Sequence, residues 1–248
     1  MRLATLFAAL AVVLGSAAPA VAAGTRVAVA ANFAEPAREI AARFRVRTGH
    51  EATLSIGSSG QIYAQIANGA PFEVFLSADR ERPEQAEAAG LAVAGSRFTY
   101  AVGRLVLFSR TPGLVDGQGS VLKSGRFAKL AIADPRAAPY GVAAIETLRG
   151  LGLQDALRPK LVQGASIAQT YQFVDTGAAE LGFVALAQVI GVRGGSRWVV
   201  PAADHTPIDQ QAVLLKTGER SVAAKAFVAF LKGSEARSII RRYGYEVP

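Results

Sequence analysis

Short apolar runs alternate with amphipathic segments along most of the chain, and this alternation constrains the fold more than any other feature of the sequence. Residues 26–30 and 52–56 are apolar runs of strand length, and each is followed by a segment with helical spacing. The first such segment carries apolar residues at i, i+3, i+4 and i+7, namely Ala37, Ile40, Ala41 and Phe44. A rhythm of strand and helix predicts an α/β fold.

The same pattern predicts the remaining elements. Strands are expected at 72–76, 98–108, 129–133, 181–185, 198–200 and 211–216, and helices at 60–67, 80–89, 141–149, 153–161, 167–175, 221–231 and 234–242. The last two helices are expected to begin at serine N-caps, Ser221 and Ser234, because a serine hydroxyl satisfies a free N–H group of the first turn.

The first 23 residues have the pattern of a secretory signal peptide. A basic start at Arg2 precedes an apolar core at 6–14 and a stretch of small residues. A transmembrane anchor is the alternative, but this core is shorter than the about 20 residues that span a bilayer. We expect cleavage after Ala22 or Ala23 and a soluble, exported mature protein.

Composition excludes several classes of function. The chain has no Cys, so disulfides, thiolate metal sites and cysteine nucleophiles are excluded. It has only two His, which leaves little for a histidine metal site. Apolar residues make up 51% of the chain, which excludes a disordered protein. The net charge of +8 suggests an anionic partner: a nucleic acid, an acidic membrane surface or a small anion.

Three predicted strands end in short turns that open a helix, and a fourth turn at 164–167 opens another helix. These turns contain Asn32, Ser59, Tyr140 and Ile167. A helix N-terminus has unpaired N–H groups and a partial positive charge, so several of them at one sheet edge would bind an anion. Taken singly, each Asn or Ser could instead be an ordinary N-cap.

Enzymatic and nucleic-acid-binding functions are less well supported by the sequence. An exported hydrolase could use Asp79 or Asp134, but both also suit turns, and no nucleophile is paired with a base. Nucleotide-binding glycine motifs are absent, and the basic residues are scattered rather than interleaved with aromatic residues.

Several motifs, in order along the mature chain, resemble those of the periplasmic molybdate-binding proteins of molybdate ABC transporters. They are Val-Ala-Ala-Asn-Phe at 29–33, Gly-Ser-Ser-Gly at 57–60, Asn-Gly-Ala-Pro-Phe at 68–72, Val-Phe-Leu-Ser-Ala-Asp at 74–79, Asp-Pro at 134–135, Pro-Tyr-Gly at 139–141, Leu-Gly-Phe-Val at 181–184 and Arg-Tyr-Gly-Tyr at 242–245.

The resemblance implies a two-lobe, type II periplasmic binding protein fold with the ligand in the interlobe cleft. The expected domains are a signal peptide at 1–23, the first part of lobe 1 at 24–104, lobe 2 at 105–207 and a return segment of lobe 1 at 208–248. The chain would cross between lobes near 103–107 and 206–211.

The resemblance also implies a site and a function. Molybdate, and tungstate with it, would be bound by Ala31, Asn32, Ser59, Tyr140 and Ile167 through neutral side-chain and backbone donors. Molybdenum would be held only as the oxyanion, with no direct metal ligand and no cofactor. Many family members have a tyrosine where this chain has Ala185, and Tyr140 is expected to compensate in part.

The expected role is capture of the anion by a non-enzymatic, monomeric receptor and its delivery to the membrane permease of an ABC transporter, without nucleic acid. A receptor for sulfate or phosphate is the alternative within the same class.

Overall fold

The computed structural model describes residues 23–248, so the predicted signal peptide and its cleavage at Ala22 lie outside the described residues. Ten strands form two five-stranded sheets. The first sheet has the order β2-β1-β3-β10-β4, with β1 Gly24–Ala30, β2 Glu51–Gly57, β3 Val74–Leu76, β4 Phe98–Gly103 and β10 Ile208–Leu214. Strands β1, β2 and β3 are parallel, and β10 is antiparallel to both of its neighbours.

The second sheet has the order β7-β6-β8-β5-β9. Its strands are β5 Leu105–Ser109, β6 Leu130–Ala133, β7 Leu161–Gly164, β8 Leu181–Ala185 and β9 Ser196–Val199. Strands β6, β7 and β8 are parallel, and β5 runs antiparallel to β8 and β9. Two mixed sheets with helices packed against them make this an α/β fold, as the sequence predicts.

Helices connect the strands and cover the sheets. They are α1 Ala34–Thr48, α2 Ser59–Ala67, α3 Glu81–Ala88, α4 Val121–Ser124, α5 Pro139–Gly150, α6 Gln154–Leu157, α7 Ile167–Asp175, α8 Leu186–Val189, α9 Val222–Lys232 and α10 Ser234–Arg242. Within residues 23–248 no helix has both the length and the apolar character needed to cross a membrane.

Helix α1 shows how the sequence pattern builds the core. Its predicted apolar face is buried, with Ala37, Ile40 and Phe44 at 0% exposure in the core of the first sheet. The helix ends where Gly49 adopts a left-handed conformation with φ of 73°, which costs glycine little. The helix therefore fixes the position of the turn that precedes it, residues 31–33.

The chain passes between the two sheets twice. Strand β4 ends at Gly103 and β5 begins at Leu105 in the other sheet, and the chain returns between β9 and β10. We call residues 24–103 with 208–248 lobe 1, and residues 105–199 lobe 2. The run at 98–108, predicted as extended, is therefore two strands in different sheets.

Two local predictions were wrong. The helix predicted at 153–161 ends at Leu157, and after a 3₁₀ turn the chain forms β7 at Leu161–Gly164, which the sequence analysis missed. The N-cap of α10 is Gly233 rather than Ser234, since Ser234 is already helical and no side chain caps this helix. Ser221 caps α9 as predicted, accepting from the N–H of Ala224.

Candidate anion-binding site

A small cavity lies between the lobes, where strands of both sheets end. It is lined by Ala30, Ala31, Asn32, Ser58, Ser59, Ala78, Ala138, Pro139, Tyr140 and Ile167. All five residues that the sequence analysis selected for the site are among them. The lobes leave little free space between these residues, far less than a drug-sized organic ligand needs, so the cavity suits only a small ligand.

Four helical N-termini meet at this cavity. The 3₁₀ turn Ala31–Phe33 follows β1, and helices α2, α5 and α7 follow β2, β6 and β7. Ser59, Tyr140 and Ile167 are first or second residues of their helices, and within residues 23–248 their backbone N–H groups donate to no other group. Helical N-termini from both lobes therefore direct unpaired N–H donors and partial positive charge into the cavity.

The lining is electrically neutral. Among the described residues no Lys, Arg, His, Asp or Glu lines the cavity. Residues 23–248 also contain no group of three or more His, Cys, Asp or Glu that could hold a metal ion. Hydrogen-bond donors are therefore the chemistry this cavity offers.

The two adjacent serines at the start of α2 have different roles. Ser58 is the N-cap and accepts from the N–H of Gln61, whereas Ser59 is the first helical residue. The Oγ of Ser59 accepts from the backbone N–H of Ala78 at 2.9 Å, and Ser59 is 1% exposed. Its hydroxyl hydrogen is therefore left to donate into the cavity. The interpretation of Ser59 as a simple N-cap is wrong, since Ser58 fills that role.

The side chain of Asn32 is turned into the protein. Its Nδ2 donates to Oε1 of Gln210 at 2.8 Å and to the hydroxyl of Tyr245 at 3.1 Å, and that hydroxyl donates to the carbonyl oxygen of Asn32 at 2.8 Å. The sequence analysis expected a donor from either the side chain or the N–H of Asn32. Because both amide hydrogens are used internally, the backbone N–H is the donor this geometry leaves.

Tyr140 crosses from lobe 2 towards the same group of side chains. Its hydroxyl accepts from Nε2 of Gln210 at 3.4 Å, and Oε1 of Gln210 also accepts from the hydroxyl of Tyr100 at 3.0 Å. Burial raises the pKa of Tyr100, Tyr140 and Tyr245 above the ordinary tyrosine value. All three phenols therefore stay neutral.

Ala185 does not line the cavity. Its backbone is hydrogen-bonded to the side chain of Gln188. The N–H of Ala185 donates to Oε1 of Gln188 at 2.9 Å, and Nε2 of Gln188 donates to the carbonyl oxygen of Ile167 at 3.1 Å. Gln188 thus ties the end of β8 to the start of α7 and orients the peptide that follows Ile167.

The lobes are closed over the cavity. The N–H of Gly60 in lobe 1 donates to the carbonyl oxygen of Ala137 in lobe 2 at 3.0 Å, and Nη2 of Arg82 donates to the carbonyl oxygen of Arg136 at 3.3 Å. Asn32, Ser59, Tyr140 and Ile167 are each at most 3% exposed. A ligand held here would be shielded from water on both sides.

A larger groove beside the cavity is chemically different. Asp79, Glu146 and Asp209 line it together with Arg80 and Arg82. Asp79 is paired with Arg82 at 2.5 Å and Asp209 with Arg80 at 3.7 Å, whereas Glu146 accepts from the N–H of Thr206. Carboxylates would repel an anion, so this groove does not suit one.

The aspartates considered for a hydrolase have structural partners. Asp79 accepts from the N–H of Arg82 at the start of α3 and from the hydroxyl of Ser77. Asp134 accepts from the side chain and N–H of Arg136, which lower its pKa. A carboxyl that stays ionised is poorly suited to act as a general acid.

Sequence reasoning missed some of the lining. Ala30, Ser58, Ala78, Ala138 and Pro139 also line the cavity and were not selected. Gln210 was missed altogether, although two adjacent glutamines in a strand that is otherwise largely apolar could have indicated it.

Comparisons with known proteins agree with this fold and site. Residues 25–246 match the family described as bacterial extracellular solute-binding protein. The chain is 58% identical over 237 residues to the molybdate-binding protein ModA of Rhodobacter capsulatus, covering 96% of this chain and 94% of the relative. It is 56% identical over 227 residues to ModA of Azotobacter vinelandii, covering 90% of each.

A solved structure of a molybdate-binding protein also resembles this fold. The Azotobacter vinelandii periplasmic molybdate-binding protein superimposes with a TM-score of 0.88 and 45% identity, over 90% of this chain and 99% of that one. On the strength of these matches, the chain belongs to the ModA family of bacterial extracellular solute-binding proteins.

Proposed function

We propose that this protein is a non-enzymatic periplasmic receptor that captures molybdate in the interlobe cavity and delivers it to the membrane permease of an ABC transporter. The observation that carries the proposal is the neutral cavity at four helical N-termini, in a chain 58% identical to a protein named as molybdate-binding. Tungstate is a second ligand in this proposal, because an anion of the same shape and charge would meet the same donors.

The donors of the site suit a tetrahedral dianion. We assign to it the hydroxyl and N–H of Ser59, the backbone N–H groups of Ala31, Asn32, Tyr140 and Ile167, and no charged side chain. Every oxygen of molybdate accepts hydrogen bonds and none donates, so a shell made only of donors satisfies it. Partial charges at the helical N-termini stabilise the anion without a buried cation.

The same shell disfavours hydrogen phosphate. Its proton would need an acceptor, and no carboxylate lines the cavity among the described residues. A buried donor without a partner costs about 1–3 kcal/mol, which corresponds to a roughly 5- to 150-fold loss of affinity. Sulfate has no such proton at neutral pH and is the closer alternative. It is smaller than molybdate, so donors spaced for molybdate would make longer and weaker hydrogen bonds to it.

Export and a monomeric state complete the proposal. The apolar segment at 6–14 supports secretion, with cleavage after Ala22 or Ala23. Every donor that we assign comes from a single chain, so the site needs no second copy.

Titration calorimetry of residues 24–248 with molybdate, tungstate, sulfate and phosphate tests this function. We expect one equivalent of molybdate or tungstate to bind, with sulfate and phosphate much weaker. A hundredfold excess over the dissociation constant should stabilise the fold by about 2.7 kcal/mol, measured as a rise in the free energy of unfolding. Absence of heat with molybdate would refute the proposal, and tighter binding of sulfate would favour the alternative receptor.

A further inference from the structure

A buried network of neutral side chains lies beneath the cavity, and Gln210 is at its centre. Gln210 is 0% exposed, and its Oε1 accepts from Nδ2 of Asn32 at 2.8 Å and from the hydroxyl of Tyr100 at 3.0 Å. Its Nε2 lies 3.4 Å from the hydroxyl of Tyr140. One amide therefore contacts a cavity residue of each lobe, Asn32 from lobe 1 and Tyr140 from lobe 2.

An irregularity in the pairing of β10 with β4 lies beside Gln210. Gln210 pairs with Ala101 and Gln211 with Thr99, so the extra residue is Tyr100 of β4. A bulge re-aims a side chain of the strand that carries it, and the hydroxyl of Tyr100 donates to Oε1 of Gln210. Gln210 also lies only two residues after Ile208, where β10 begins after the return from lobe 2.

The first crossing between lobes packs against the same contact. A Cβ atom on Gly103 would lie 2.3 Å from the hydroxyl oxygen of Tyr140 and 2.8 Å from Nε2 of Gln210. The backbone at this crossing therefore approaches the Tyr140–Gln210 pair as closely as a glycine allows. The pair forms at the place where the two lobes are joined.

We propose that Gln210 is a positioning residue for the anion site, holding the Asn32 turn in place and bonding Tyr140 only when the lobes are closed. The inference rests on the proposed function. Gln210 touches no part of the anion in this scheme and acts through the two residues that do.

Two physical effects follow from this geometry. Within lobe 1, Gln210 holds the Asn32 side chain and with it the turn that presents the Asn32 N–H, so less conformational entropy is lost on binding. Between the lobes, the Tyr140 contact is made in the closed form, so it contributes to affinity rather than to the stability of the unliganded protein.

The test compares two variants of neighbouring buried glutamines. Gln211 is 6% exposed, contacts Thr99 and Arg97 within lobe 1, and bonds to no cavity residue. Both Gln210→Leu and Gln211→Leu remove buried hydrogen bonds, so both should lower the melting temperature of the unliganded protein. Only Gln210→Leu should weaken molybdate binding in calorimetry, by about tenfold. Binding by Gln210→Leu within about twofold of the wild type would overturn the inference.

Tyr140→Phe removes only the hydroxyl that Gln210 contacts and keeps the backbone N–H in the cavity. It should also weaken binding, and in the double variant its effect should largely disappear, since both changes break one contact. Fully additive losses would overturn the interlobe role of Gln210. If Gln210→Leu does not fold, wild-type affinity in Tyr140→Phe would overturn that role by itself.

The wild-type titration separates this inference from the proposed function. If the wild type binds molybdate, that function stands whatever the variants do. If it binds sulfate instead, the molybdate proposal fails, and the same variants titrated with sulfate still decide the role of Gln210. If it binds none of the four oxyanions, both proposals fall.

Discussion

At the scale of single residues, Ser58 and Ser59 show how neighbouring side chains of the same type divide their tasks. The hydroxyl of Ser58 caps α2, whereas that of Ser59 accepts from the N–H of Ala78 and keeps its own hydrogen free. Because the Ala78 N–H fixes the orientation of the Ser59 oxygen, the remaining hydrogen is pre-oriented for a ligand in the cavity.

We predict that Ser59→Ala weakens molybdate binding by about tenfold, because one buried charge-assisted hydrogen bond is lost. Calorimetry of the purified variant measures this. The matched control is Ser221→Ala, which removes the N-cap of α9, far from the cavity in the chain. It should lower the free energy of unfolding by about 1 kcal/mol and leave affinity unchanged. Equal affinities for Ser59→Ala and the wild type would remove Ser59 from the site.

The sequence identified which residues surround the cavity better than it identified what each one does. A strand followed by Asn32 or Ser59 predicts a polar turn at a sheet edge, and that much follows from local pattern. The side chain of Asn32, however, is held by Gln210 and Tyr245, which are 178 and 213 residues away in sequence. Local pattern carries no information about partners so distant, so the orientation of Asn32 could not be predicted.

At the scale of elements, the site depends on how closely the helical N-termini of the two lobes approach. Gly60, the second residue of α2, donates its N–H across the cleft to Ala137. A Cβ atom on Gly60 would lie 3.1 Å from both the Cα and the carbonyl oxygen of Ala137. Since these are backbone atoms, they cannot move aside as a flexible side chain could.

We predict that Gly60→Ala weakens molybdate binding by about tenfold, because the closed form becomes overpacked while the open form is unaffected. The unliganded melting temperature should stay close to that of the wild type. Gly117→Ala is the matched control, because a Cβ atom there meets nothing within 4 Å. Calorimetry on both variants measures the difference, and a Gly60→Ala protein with full affinity would show that the lobes need not approach this closely.

The missed strand β7 shows where prediction from periodicity ends. Its four residues are too few to establish an alternation, and the apolar residues before it continue a helical spacing into Leu161. The strand forms because it pairs in parallel with β6, from Leu130 opposite Leu161 to Ala133 opposite Gly164. That pairing is tertiary, and it places Ile167 at the cavity by setting where α7 begins.

At the scale of the whole molecule, the chain has a net charge of +8, yet the cavity is lined only by neutral residues. Composition alone could not show that the positive charge lies outside the cavity. Arginines pair with carboxylates across the surface, as Arg97 does with Glu84 and Glu87. In the proposed function the anion is recognised by donors directed into a buried cavity, where hydrogen bonds to an ion are stronger than in water. The resemblance to molybdate-binding proteins implied two lobes, but the close contact between Gly60 and Ala137 is visible only in the folded chain.

The most direct measurement is a crystal structure of residues 24–248 grown with molybdate, with diffraction data collected at the molybdenum absorption edge. The account predicts one strong anomalous peak per chain, in the cavity bounded by Ser59, Tyr140 and Ile167, with no Lys or Arg side chain in contact. An anomalous peak elsewhere, or none in this cavity at saturating molybdate, would contradict it.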